Sequence, residues 1–202
     1  MHLVIGLGNP GARYADTRHN VGFAVVDRLS ERCGDAVDRK QFGALVGSTR
    51  VRGASAVLAK PQGFMNLSGQ PVASLRGFFK VDNDHIVVVH DELDLPFGEV
   101  RVKHGGGHGG HNGLRDIQQK LGGNDFVRVR VGISRPPAGW DVSNYVLGKW
   151  SGEEAGLVDG IVDQACEAVE TVLNEGPVSA MNSFNTRPGR GRKASPDGSS
   201  SS

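Results

Sequence analysis

Histidine and carboxylate side chains in separate stretches of the chain offer acid–base chemistry near neutral pH. His19 stands next to Asn20, just ahead of a helical pattern. An imidazole has an ordinary pKa of about 6.5, which makes it a natural general base. Further on, His90-Asp91-Glu92-Leu93-Asp94 follows an apolar run. Carboxylates packed that closely suit a divalent metal, a loop cap, or an imidazole held in one tautomer. A carboxylate bonded to a histidine also stabilises the imidazolium that proton abstraction leaves behind. The reading we favour pairs His19 with Asp91 to activate water. The plainer reading makes His19 a surface or capping residue.

Two glycine clusters lie near these groups. Gly6-Leu7-Gly8-Asn9-Pro10-Gly11 follows a strand-like segment and matches G-x-G-x-x-G. A dinucleotide site would need a helix to open at this turn, its N-terminus facing a pyrophosphate. The residues that follow, Arg13 to Arg18, are polar and lack helical periodicity, and no acidic residue ends a second strand at the right distance. We read a tight loop that lets its backbone and Asn9 approach a ligand, with a plain turn as the alternative. The second cluster, Gly105–Gly113, carries His108, His111 and Asn112. So many glycines raise the entropy cost of ordering a loop, so the loop must serve close approach to a large ligand or movement. His104, His108 and His111, or Asp91 with His108 and His111, allow a zinc reading. Against it, no cysteine joins them, no H-E-x-x-H helix is present, and a glycine loop does not pre-orient ligands. Asn112 offers an amide to substrate instead.

Asn66 follows Phe64-Met65 and precedes a helix start. It reads either as a helix N-cap or as a donor that polarises a carbonyl or fixes a water. There is no G-x-S-x-G elbow, and neither Cys33 nor Cys166 sits in a nucleophile motif. A hydrolase built from these parts would use water directly. Arg101, Lys103, Arg128 and Arg130 alternate along two predicted strands, which puts each pair on one face. Such a strip either grips phosphates or is a solvated sheet face.

Several elements must position these groups. Leu3–Leu7 reads as a buried strand. Asn20 caps a helix running to about Arg32, with Gly34 as its stop. Phe42–Thr49 and Ala54–Ala59 form a hairpin turning at Arg52-Gly53, and a helix spans Leu67–Phe79. Ile86–Val89 is a central strand buried on both faces. Val100–Lys103 and Phe126–Ile133 are strands, Leu114–Leu121 and Glu153–Asn174 helices, and Val178–Phe184 a last helical turn or two. The order predicts a single α/β domain over residues 1–184, with a mixed, mostly parallel sheet between helices. From residue 185 to 202 the chain turns Arg/Lys/Gly/Pro/Ser-rich, and we expect a disordered basic tail. In sheets of this kind, sites form beyond the carboxyl ends of strands. Asn9, Asn66 and His90-Asp91 each fall just after one.

Composition narrows the setting. With 23 basic and 22 acidic residues the net charge of +1 neither favours nor excludes a polyanionic partner. The cysteines lack metal spacing and suit a reduced compartment. No apolar run approaches the ~18–20 residues a bilayer needs, and no signal-like region opens the chain, so we expect a cytoplasmic protein that meets no membrane.

Taken together, the segments resemble bacterial-type peptidyl-tRNA hydrolases. The likeness rests on GLGNPG, the Tyr14…Thr17-Arg18-His19-Asn20-Val21-Gly22 stretch, Lys60-Pro61…Phe64-Met65-Asn66-Leu67-Ser68-Gly69, His90–Pro96, Gly105–Gly113 and Arg130-Val131-Gly132-Ile133. They stand in the family's order and cover most of residues 1–184. The resemblance implies a monomeric three-layer α/β/α fold without cofactor, metal or obligate protein partner. It implies cleavage of the ester that joins a peptide to the terminal ribose of tRNA. By the same resemblance, His19 and Asp91 are catalytic, and Asn9, Asn66 and Asn112 are site asparagines, Asn66 aiding catalysis. Tyr14, Phe64, Met65 and His111 line the substrate, and Lys103 and Arg130 hold the tRNA phosphate. Gly139–Gly148 matches a loop that gates the groove.

Overall fold

The computed structural model describes residues 1–186. The strands are β1 (His2–Gly6), β2 (Arg39–Gln41), β3 (Ala44–Val51), β4 (Ala54–Pro61), β5 (Ile86–Glu92), β6 (Val100–His104) and β7 (Val127–Gly132). The helices are α1 (Val21–Cys33), α2 (Gly69–Phe79), α3 (Asn112–Leu121), α4 (Val142–Val146), α5 (Gly152–Glu175) and α6 (Pro177–Phe184). The strands form one sheet in the order β2-β3-β4-β1-β5-β7-β6. Pairings β4–β1, β1–β5 and β5–β7 are parallel, and β2–β3, β3–β4 and β6–β7 antiparallel. The sheet is therefore mixed as expected, with only β3 and β6 running against the other strands.

Alternation of side chains across the central strands divides the core in two. Val4, Val87, Val89, Val127, Val129 and Val131 point toward α1, α5 and α6. Leu3, Ile5, Ile86, Val88 and Phe126 point toward α2 and α3. Both faces of β1 and β5 are thus covered, which explains why their sequences read as unbroken apolar runs. Each fully buried Val, Leu or Ile side chain contributes about 1.5–3 kcal/mol through removal from water. Helix α5 starts at a capping box, with Ser151 accepting from the Glu154 N–H and Glu154 accepting from the Ser151 N–H.

Several elements differ from the sequence reading. The short strand β2 extends the hairpin at its edge, and Phe42-Gly43, both at positive φ, make the turn into β3. Three polar residues at an edge give no apolar alternation to read. Residues 139–148, expected as a loop, contain α4, which is too short to show helical periodicity. Leu67 lies in a 3-10 turn (Met65–Leu67), and α2 itself begins at Gly69. Asn185, taken as the first tail residue, belongs to the fold. Its side chain accepts from the Val102 N–H at 2.9 Å and donates to the Val102 carbonyl at 2.8 Å. The rest of the expected tail, residues 187–202, lies outside the described residues. Among the described residues no helix is long and apolar enough to cross a membrane.

Candidate active site

The site grows from the way α1 meets the sheet. The turn after β1 opens no α-helix; a 3-10 turn at Ala12–Tyr14 follows it, and another at Arg18–Asn20 leads into α1. The start of α1 packs backbone to backbone on the strands. A Cβ on Gly22 would collide with the Leu7 N and the Val89 O, and one on Gly6 with the Gly22 O. Phe23 N–H donates to the Leu7 carbonyl, and Leu7 N–H to the Val89 carbonyl. This close approach, possible only without side chains, sets His19 just ahead of α1 over the carboxyl end of β5. Asp91 continues the row of Val87 and Val89 toward the α1 face, so its carboxylate meets the imidazole.

His19 Nδ1 lies 3.0 and 2.9 Å from the two carboxylate oxygens of Asp91. The His111 Nε2 lies 3.0 Å from Oδ1 of the same carboxylate. A carboxylate accepts only, so both imidazoles present N–H groups to it. His111 Nδ1 in turn accepts from the Leu114 N–H, which caps α3. His90, fully buried, donates from Nδ1 to the Asp91 backbone carbonyl at 2.7 Å. Asp91 is therefore held by three imidazoles, two on its side chain and one on its main chain. With Nδ1 occupied, His19 keeps Nε2 as the free lone pair, and its ring lines the cavity.

The electrostatics follow from burial and from these partners. Burial works against a charged His19, but the Asp91 charge and hydrogen bond outweigh it and hold the pKa above its ordinary value. Burial likewise opposes ionisation of Asp91, yet the adjoining imidazoles hold its carboxyl well below the usual range. Burial and then the neighbouring His111 push His90 down to about 3, so it stays neutral.

The cavity has a volume of about 710 Å³. All nine residues expected around catalysis and substrate line it: His19, Asp91, Asn66, Asn9, Tyr14, Phe64, Met65, His111 and Asn112. Asn9 is fixed by Asn20, whose Oδ1 accepts from the Asn9 N–H and whose Nδ2 donates to the Asn9 carbonyl, both at 2.9 Å. Asn9 Oδ1 accepts from the Met65 N–H at 2.7 Å. Its Nδ2 has no protein acceptor among the described residues and is the donor left for a ligand. Asn20 is thus not the side-chain cap of α1 that the sequence suggested. Nor does Asn66 cap α2, since it is exposed inside the 3-10 turn. Phe64 is 54% exposed at the mouth, while Met65 is buried in the wall. The guanidinium of Arg13 stacks 4.4 Å over the Tyr14 ring.

Lys103 and Arg130 lie outside the cavity. The ladder pairs Lys103 with Arg128 and Arg101 with Arg130, so all four cations share the α3 side of the sheet edge. They are not equivalent, as the strip in the sequence implied. Arg128 is buried and donates to the carbonyls of Gly105, Gly106 and Gly107. Arg101 is held by Glu99. Arg130 gives Nε to Glu92, itself a cavity residue, at 3.0 Å. Lys103 has no carboxylate partner among the described residues.

Among the described residues two groups have ligand atoms close enough to hold a cation, within 4.8 Å of one another: His19, Asp91 and His111 in the cavity, and the exposed Asp82, Asp84 and His85; neither is a set the sequence suggested. His108 accepts from the Gly110 N–H instead. Sequence reasoning also missed Arg18, buried beside His19, which donates to the Lys149 carbonyl at 2.8 Å and to Glu154 at 2.6 Å. The segment 139–148, matched by resemblance to the groove, does reach the cavity, but that its Val142, Val146 and Leu147 form an apolar wall was not read from the sequence. Neither carries a local signal.

Comparison with known proteins places this geometry. The family model described as peptidyl-tRNA hydrolase matches residues 3–193. A peptidyl-tRNA hydrolase of Rhodococcus opacus is 52% identical over 181 residues, covering 89% of this chain and 95% of the relative. One from Frankia casuarinae is 50% identical over 182 residues, covering 90% and 92%. A crystal structure of peptidyl-tRNA hydrolase from Acinetobacter baumannii superposes with a TM-score of 0.85 at 42% identity, covering 92% of this chain and 94% of that one.

Proposed function

The chain belongs to the peptidyl-tRNA hydrolase family, and from that premise we propose how its residues hydrolyse peptidyl-tRNA. The Nε2 atom of His19 takes a proton from water, and the water attacks the ester carbonyl that joins peptide to tRNA. Asp91 keeps Nε2 unprotonated by receiving Nδ1–H, and it stabilises the imidazolium once formed. Asn66 donates to the developing oxyanion, a role whose loss typically costs about 3–4 kcal/mol in barrier. The free Nδ2 of Asn9 and the amide of Asn112 position the peptide. Tyr14, Phe64 and Met65 supply apolar and aromatic surface, and His111 steadies Asp91 from the far side. Departing ribose oxygen then recovers the proton from His19.

The observation that carries this reading is the His19 Nδ1–Asp91 contact at 2.9 Å in a ring that lines the cavity. Lys103 and Arg130 sit away from the chemistry, where they grip a tRNA phosphate and so align the ester by remote binding. The segment 139–148 gates the groove from the α4 side. We further propose that residues 1–184 act as one catalytic domain, monomeric and cytoplasmic, with no obligate protein partner and no metal or cofactor.

Incubation with an N-blocked aminoacyl-tRNA tests the function: the blocked amino acid is released. The same assay should be insensitive to EDTA. His19→Ala should abolish turnover while tRNA still binds; near-normal turnover in that variant removes the mechanism. Lys103→Ala should weaken tRNA binding most at low salt and leave the remaining affinity less salt-dependent.

A further inference from the structure

We infer that Arg128 is a positioning residue for the tRNA phosphate contact, acting through the glycine loop onto Lys103. The inference rests on the phosphate reading of Lys103 given above.

The loop after β6 is costly to order, with Gly105 at φ +67° and Gly106 at φ +92°. Arg128 supplies what fixes it. Its guanidinium, buried at 3% exposure, donates from Nη1 to Gly107 O at 2.7 Å and from Nη2 to Gly105 O and Gly106 O. Gln118 of α3 donates to Gly106 O at 2.9 Å from the other side. No carboxylate is in ion-pair contact with Arg128 among the described residues; its hydrogen bonds go to carbonyls, and Glu92 acts on its charge only from further off. A cation buried in this way is an expensive device for holding a loop unless its field and geometry are used.

The use lies next to it. Lys103 is the ladder partner of Arg128. A Cβ built on Gly106 would come within 2.7 Å of Lys103 Cε and 2.8 Å of Nζ. The lysine stem therefore lies across the peptide that Arg128 pins, and the like charge beneath directs the ammonium outward. Arg130, two residues along β7, joins the same patch. Arg128 thereby sets the height and direction of Lys103 without touching the ligand. The far end of the loop is anchored separately, through the His111 cap of α3 and the His111 N–H to His108 carbonyl bond. Loss of Arg128 should therefore be felt in binding before chemistry.

The test is a double-mutant cycle on the full-length enzyme with N-blocked aminoacyl-tRNA, using Arg128→Met, Arg128→Lys, Lys103→Ala and the combined Arg128→Met/Lys103→Ala. We expect Lys103→Ala and Arg128→Met each to raise KM about tenfold or more with kcat within about threefold, and each to flatten the salt dependence of KM by roughly one phosphate contact. The combined variant should be little worse than Lys103→Ala alone, because the two act through one ammonium. Arg128→Lys keeps the charge but cannot fork to three carbonyls, so it should recover folding and only part of the KM loss. Additive effects, full recovery by lysine, or an unchanged KM in folded Arg128→Met would each overturn the inference. A silent Lys103→Ala would instead bring down the phosphate reading, and this inference with it.

Discussion

Replacing Asp91 by asparagine probes the centre of the mechanism with one atom's change. The carboxylate of Asp91 receives N–H groups from two rings, His19 at 2.9 and 3.0 Å and His111 at 3.0 Å. An amide of the same shape offers one acceptor and one donor. One imidazole must then give up its N–H at that contact and switch tautomer. If His19 switches, Nε2 becomes protonated and cannot take a proton from water. The lost charge adds to the fault, since a hydrogen bond to an ionised group contributes about 1.5–3 kcal/mol. At about 1.4 kcal/mol per decade, that alone is roughly 10- to 150-fold in rate. With the tautomer fault added, we expect kcat to fall by about 10³, about a decade short of the roughly 10⁴ known for an Asp→Asn change behind a catalytic histidine.

The pH profile gives an independent sign. Burial disfavours charge on His19, and Asp91 more than offsets this, so the folded pKa lies above its ordinary value. The base is active only when neutral, so the acid limb of kcat/KM should have its inflection above about pH 6.5. Asp91→Asn leaves burial unopposed, and the limb should move to lower pH even as the plateau drops. Steady-state rates with N-blocked aminoacyl-tRNA across pH 5–9 measure both. A limb that stays put or moves up, or a loss in kcat of less than about threefold, would refute the reasoning.

Other consequences follow from the surrounding packing. Asn20→Ala leaves the Asn9 N–H and carbonyl without partners in a buried place, which should cost about 2–4 kcal/mol of stability and raise KM, read by thermal melting and steady-state kinetics. Gly22→Ala should destabilise by about 1–3 kcal/mol or more and cut kcat by up to ~10², because its Cβ would lift α1 and His19 from β5; Gly160→Ala on α5, where nothing lies within 4 Å of the added carbon, should be neutral or slightly stabilising. His90, at about 3 when folded, stays neutral where the unfolded chain takes up a proton, so stability should fall as pH drops below about 6.5, by roughly 1.4 kcal/mol per unit, and His90→Gln should flatten that slope. His19 acts with the opposite sign, its contribution being full below about pH 6.5 and fading as pH rises through its raised folded value, so melting temperature should peak near neutrality.

Local patterns account for what the sequence made legible. Alternation and apolar runs marked most strands, since β1 and β5 are covered on both faces, and the glycines that mark the α1–sheet contact stand in the motif itself. His19 and Asp91 were readable as a pair because one stands just ahead of a helix and the other follows the apolar run of a central strand. The roles of asparagines were not. Asn20 looks like a cap from its position, but its partner Asn9 lies eleven residues back across a turn, and only the folded backbone brings their amides together. α4 and β2 were lost for a related reason: five residues hold too little periodicity for a helix, and an exposed edge strand needs none.

The four cations of β6 and β7 show most clearly where sequence reading stops. As residue types at alternating positions they are interchangeable, and any could be assigned to phosphate. What separates them is the partner each already has. The Glu99 that holds Arg101 is two residues away and could have been guessed. The carbonyls that hold Arg128 belong to a loop more than twenty residues back, and the Glu92 that takes Arg130 Nε comes from a different strand. Lys103 is left free by subtraction, and subtraction needs the whole ladder. Binding capacity in such a strip is the charge that the fold leaves unspent, so Lys103 is the cation whose removal should cost the most tRNA affinity, and Arg101 the one whose removal should cost least.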